Sequence, residues 1–172
     1  MSTAEIETKV VETTFKQIRV HDGFDRCRLC WQDETGHVII ASSYGHWQYY
    51  WTSIGNRTLA QFLAKLDMHY MGGKMLGIGI DVNCDRSTIQ CIREHIIEYR
   101  RDCTYTKEFA REEWQTVDSW ESGMLMDFRE WCETTKIDDA YELRRKIINP
   151  SWEQFWNKLW VPLVVPVLKT QE

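Results

Sequence analysis

Proline is scarce in this chain, at three residues in 172, and no low-complexity tract accompanies it. A sequence so poor in breakers and repeats has no compositional ground for disorder beyond its termini. Long apolar runs are missing too. The most apolar stretch, residues 160–168, is about half the length of the ~20 residues that a bilayer-spanning helix needs, and Pro162 and Pro166 interrupt it. It reads as a terminal segment docked on the core. The first residues lack the apolar stretch of a signal peptide, which predicts a cytoplasmic protein with no membrane partner. Met1–Lys9 is polar and reads as a frayed end.

Catalytic and cofactor signatures are equally thin. Cys27-x-x-Cys30 has no second pair at zinc-ribbon spacing, since Cys84 and Cys91 are separated by six residues. An offset of three on a strand also sends the two sulfurs to opposite faces. A redox role would place the pair at a helix N-terminus instead, and six cysteines in a cytoplasmic chain stay reduced. Gly72-Gly73-Lys74 fails as a P-loop, because Met68 and Met75 stand where a glycine and a Ser or Thr are required. No third glycine completes a dinucleotide fingerprint after Gly77-x-Gly79, so 71–79 reads as a hinge between a sheet half and a helical half. Ser42 and Ser43 lie in no G-x-S-x-G elbow. The sequence therefore predicts no catalytic residue, no metal and no cofactor.

What remains is an ordinary globular composition, 43% hydrophobic and 27% charged, sized for a single domain over 1–172. Strand patterns come first (10–54) and helical patterns follow (58–168), which predicts an α+β fold. In it, an N-terminal antiparallel sheet of three to four strands packs against about five helices. Asp25 to Gln32 alternates, Asp33-Glu34-Thr35-Gly36 is a hairpin connection, and the next strand starts at His37. Thr58-x-x-Gln61 and Ser87-x-x-Gln90 look like capping boxes, the second opening a helix that buries Ile89, Ile92, Ile96 and Tyr99. A third helix starts near Thr106, and a fourth uses Met124, Leu125, Phe128, Trp131 and Cys132. Asp139 caps a short helix that buries Leu143 and Ile147. After Asn149-Pro150, a last helix begins with Ser151-x-x-Gln154. Trp114, Trp120, Trp131, Trp152, Trp156 and Trp160 are assigned mostly to the core.

Two features bear on function. The first is the aromatic run from Tyr44 to Trp51. If it is extended, Trp47, Tyr49 and Trp51 share one face while His46, Gln48 and Tyr50 share the other. Tyr44, His46, Trp47 and Tyr50 are candidate partner contacts. An alternative reading makes the run a platform for a nucleotide or a single strand, with His46 as base, in a small enzyme or binding protein. The second is charge. Residues 108–142 hold 11 acidic side chains against three basic ones, with Glu112, Glu113, Glu121, Glu130 and Glu133 as leading contacts for a host protein with a basic surface. Direct nucleic-acid binding by this half is disfavoured. A solvated helical face is the plain alternative.

Tyr44-Gly45-His46-Trp47-Gln48-Tyr49-Tyr50-Trp51, then Phe62-Leu63 and Tyr70 with Lys74, resembles accessory proteins of tailed phages and prophages. Those proteins carry a Y-G-x-W-x-Y-x-W-like strand, a helix with F-L and a Y-x-x-x-K. The resemblance covers residues 38–76 and brings no catalytic residue. It implies expression in an infected bacterium, from genes concerned with host takeover or with blocking defences. Small inhibitors of that kind, anti-CRISPR and anti-restriction proteins among them, often present acidic surfaces. The combined expectation is a non-enzymatic inhibitor that docks through an acidic helical face.

Overall fold

The computed structural model describes residues 12–125 and 127–171; the readings placed on Met1–Lys9 and on the start of the first strand pattern fall outside them. The chain divides into two compact units, residues 81–149 and the remainder. The fold is α+β.

The first unit is built on a four-stranded antiparallel meander: β1 (Lys16–Asp22), β2 (Asp25–Gln32), β3 (His37–Ser42) and β4 (Gly45–Tyr50), in the order β1-β2-β3-β4. The strands form where the sequence alternates. Ile18, Leu29, Ile40 and Trp47 stand opposite one another across all four strands, and Trp31, Val38 and Tyr49 form the neighbouring row. Leu29, Val38 and Ile40 are fully buried on this inner face. Gly36 turns β2 into β3 at φ +68°, a conformation that glycine adopts freely, and a Cβ there would strike the Trp51 carbonyl.

Helices cover that inner face. The short α1 (Leu59–Leu63) has the expected capping box: Thr58 accepts from Gln61 N, and the Gln61 side chain accepts from Thr58 N. The next helix, α2 (Met68–Leu76), corrects the hinge reading of 71–79, because Gly72 and Gly73 lie inside it. Gly72 is buried, and a Cβ on it would sit 2.5 Å from Trp152 Nε1 and would collide with Ile80. Gly72 serves close packing rather than flexibility. The C-terminal helix continues the layer, as Pro150–Phe155, then a π-helical stretch Trp156–Val164, then Val165–Lys169. Pro162 lies inside the π stretch. It has no N–H to donate and would clash with the preceding turn of an α-helix, so the turn widens around it. Trp152, Phe155, Leu159, Trp160, Val164 and Leu168 are fully buried, as expected of a docked terminal segment.

The second unit holds α3 (Asp85–Arg101), α4 (Lys107–Glu121), α5 (Phe128–Thr134) and a 3-10 turn, Ala140–Leu143. Its core joins Ile89, Ile92 and Ile96 to Val117, Trp120, Phe128 and Trp131. Several expected boundaries shift. The helix α3 begins at Asp85, so Ser87 is no cap but donates to Cys84 Sγ within the first turn. Tyr99 is 38% exposed. Asp127 caps α5 and leaves Met124 outside it, while Asp139 makes no side-chain cap. Ile147 belongs to a three-residue strand, β6 (Lys146–Ile148), paired with β5 (Asp81–Asn83). That small sheet lies in a region where the sequence suggests helix and loop.

Adjacent glycines in α2 should respond in opposite directions. Gly72→Ala should lower stability by about 1–3 kcal/mol through overpacking. Gly73→Ala, where a new Cβ meets nothing within 4 Å, should raise it by about 0.5–1 kcal/mol. Thermal or urea unfolding of the two variants checks the sign at each position.

Candidate functional site

Period-two alternation that buries the apolar rows turns a different set of residues to solvent. The outward positions are Gln17, Arg19 and His21 on β1, Arg26, Arg28, Cys30 and Gln32 on β2, His37, Ile39 and Ala41 on β3, and His46, Gln48 and Tyr50 on β4. None of them is Asp or Glu. Arg19, Arg28, Ala41 and His46 form one row across the sheet, and His21 opposite Arg26 lies in the next. Around the small Ala41 these residues enclose a concavity of about 840 Å³. Among the described residues, none of the three arginines forms an ion pair. Further along the same face, the His37 and Tyr50 rings stack at 4.0 Å and 11°.

The aromatic run therefore splits, as alternation requires. His46 and Tyr50 are exposed on the outer face. Trp47 points inward and packs at 5.0 Å against both Trp152 and Phe155, which leaves it half-buried. His46 and Trp47 border a small hollow at the β4 edge, but Tyr50 takes no part in it, so the three do not form one pocket. Tyr44 is half-buried; its hydroxyl donates to Asp25 at 2.5 Å, and the Lys158 ammonium lies 5.6 Å above its ring. The bond to Asp25 and burial both push the Tyr44 hydroxyl above its ordinary pKa. Cys27 is buried and Cys30 lies on the opposite face, the arrangement that an offset of three predicts.

The acidic helices carry a larger correction. Glu113 is 1% exposed. Its carboxylate accepts from the Thr135 hydroxyl at 2.5 Å and from Lys136 N at 3.1 Å, tying α4 to the segment after α5. It is a structural acceptor and leaves the list of surface contacts. Glu112 pairs with Lys136 at 2.8 Å, Glu121 with Arg93 at 2.6 Å, and Glu133 with Arg129 at 3.2 Å. These three carboxylates stay exposed, and Glu130 is half-buried. A basic groove of about 660 Å³ runs between α3 and α4, with Arg100, Arg101, Lys107 and Arg111 around Ile97 and Trp114. Acidity is thus a property of the unit as a whole and not of every face of α4.

The outer-face arginines carry no motif in the sequence. Their signal is the alternation itself, since Arg26 and Arg28 occupy the positions complementary to Cys27 and Leu29. Among the described residues, no group of three or more His, Cys, Asp or Glu side chains is placed to hold a metal ion. No helix there is long and apolar enough to cross a membrane.

An antiparallel sheet closed on one face by helices, with charge concentrated on its open face and on a helical unit, defines the class as an α+β protein with charged surfaces. The family model Phage_phiTE_072, a phage family, matches residues 8–170, and the chain belongs to that family. No curated protein and no solved structure matches it.

Two neighbouring glutamates on α4 should differ sharply in their effect on folding. Glu113→Ala removes a buried acceptor from two donors and should cost about 2–4 kcal/mol. Glu112→Ala breaks only an exposed pair and should change stability by about 0.5 kcal/mol or less. Chemical denaturation of the two variants measures the contrast.

Proposed function

We propose that this phage-family protein is a non-enzymatic protein–protein interaction protein. On this reading it inhibits a host defence or nucleic-acid-handling complex, in the manner of anti-CRISPR and anti-restriction proteins, inside the bacterial cytoplasm. One observation carries the reading: the charge is divided between the units. Residues 81–149 hold 16 acidic and 11 basic side chains, and the rest of the chain holds 10 of each, so the entire net charge of −5 resides in one unit. Concentrated like charge raises self-repulsion within the unit, a small cost that docking to a basic surface would offset. Membership of a phage family supplies the setting in which such a target exists.

The contacts assigned to this role are Glu112, Glu121, Glu130 and Glu133. Glu112, Glu121 and Glu133 form exposed ion pairs with neighbouring cations, and such pairs contribute at most about 1 kcal/mol. A basic partner can therefore exchange them for its own at little cost. Attraction of this kind acts over a Debye length of about 8 Å at physiological salt. It acts on the rate of encounter more than on the lifetime of the complex.

The test combines affinity capture from a host bacterial lysate with kinetics on the partner so identified. Simultaneous Glu112→Lys, Glu130→Lys and Glu133→Lys should slow association by about tenfold at low salt, with a smaller effect on dissociation and little change in melting temperature. Wild-type association by the triple variant would reduce the acidic unit to a solvated surface.

A further inference from the structure

The open face of the four-stranded sheet contains an unrelieved electrostatic cost. Arg19 stands directly opposite Arg28 in the β1–β2 register, and His21 stands opposite Arg26. Like charges directly across an antiparallel pair, here Arg19 and Arg28, are destabilising. A single carboxylate among the outward positions would remove that cost, yet all thirteen lack one. The nearest acids on the β1–β2 hairpin are Asp22 and Asp25, which stand opposite each other in the inward register, and Asp25 accepts from Tyr44. The partner that the Arg19 guanidinium does find is neutral, the amide oxygen of Gln17.

The shape of the face matches its charge. Ala41 is the small residue in the row Arg19–Arg28–Ala41–His46, and the concavity of about 840 Å³ lies above it. Its rim at the β1–β2 turn includes Gly23, and the next residue, Phe24, is 98% exposed at the hairpin tip. Toward the other end of β4, Tyr50 is 55% exposed and stacked on His37. A cationic hollow thus lies on the open sheet face, with one exposed ring at the hairpin tip next to its rim and another at the opposite end of β4.

We infer that the outer face of this sheet binds single-stranded nucleic acid, with Arg19, Arg26 and Arg28 holding the phosphodiester backbone and Phe24 and Tyr50 stacking on bases. Positive grooves that follow a backbone, combined with aromatic side chains under the bases, are how single strands are held without sequence readout. A free phosphate would use the hollow but leave the two aromatic positions idle. An acidic protein would use the arginines in the same way and likewise needs no exposed rings. A duplex keeps its bases stacked inside and offers none to Phe24 or Tyr50. The site belongs to the unit without net charge and stands independently of the role proposed for residues 81–149.

Fluorescence anisotropy of a labelled 15-nucleotide dT strand, titrated with the full-length protein at several salt concentrations, tests this. Saturable binding should weaken with a log–log salt slope of about −2, for three backbone contacts at about 0.7 each. Arg19→Glu should reduce affinity by about tenfold or more and flatten the slope. The same change should leave the melting temperature equal or higher, because it turns the repulsion with Arg28 into a cross-strand ion pair. That pairing of better folding with poorer binding separates a ligand site from a structural one. Phe24→Ala should weaken binding about fivefold or more without altering the slope. The inference is overturned if dT15 does not bind at low salt or if Arg19→Glu binds it as wild type does. It is equally overturned if poly-glutamate or a 15-base-pair duplex competes as well as unlabelled dT15.

Discussion

The register of the four-stranded sheet is the constraint on which most of the first unit depends. Because side chains alternate strictly, one register places Ile18, Leu29, Ile40 and Trp47 in the core and, with no further choice, places Arg19, Arg28, Ala41 and His46 in water. A slip of one residue in any strand would exchange its two sets, burying an arginine or a histidine and exposing an aromatic or aliphatic side chain. Burying an unpaired guanidinium costs far more than any single contact in the sheet returns. The register is also held mechanically. Gly36 closes the β2–β3 turn in a left-handed conformation and accepts from Trp51 N at 2.9 Å. In this way the end of the aromatic run is tied back to the turn that precedes it.

The second unit has a different organising element, a carboxylate in its interior. Glu113 lies four residues before Val117 and seven before Trp120, on the buried stripe of α4. A charge there is tolerable only when hydrogen-bonded. The Thr135 hydroxyl and the Lys136 N–H supply those bonds from the segment that follows α5. Thr135 in turn accepts from Ile137 N, and Ile137 is buried in the core cluster. A polar group thereby fixes where the chain leaves α5, a place with no regular secondary structure to do so.

Much of this was legible in the sequence where a short-range signal decides the structure. The alternation from Asp25 to Gln32, the Gly36 turn and the Thr58–Gln61 box each involve neighbours within a few residues, and each appears as read. The failures share a long range. Gly72-Gly73 looks like a hinge locally, but it lies in a helix because Trp152 packs on it; the Trp152 indole N–H donates to Met68 O across 84 residues of sequence. β5 and β6 are three residues each, too short for any period, and they pair across more than sixty residues. Glu113 was legible in principle, since its spacing to Val117 and Trp120 puts it on the apolar stripe. Counting charge along 108–142 without assigning faces concealed it. Trp47 shows the converse case: alternation assigns it to the core, and only its membership of a conspicuous aromatic run suggests a surface role.

Electrostatics adds a point that composition alone obscures. A net charge of −5 and a pI near 5.6 describe an acidic protein, and averaged over the whole chain they argue against contact with phosphates. The average mixes unlike parts. One unit carries all of the excess negative charge, while the other is neutral by count and has the three arginines of its sheet on one face. Screening confines each field to about 8 Å at physiological salt. A ligand at the sheet therefore responds to Arg19, Arg26 and Arg28 and not to the sum over the molecule. Surface charge on such a protein is informative face by face. Here the face is set by the same two-residue period that builds the core.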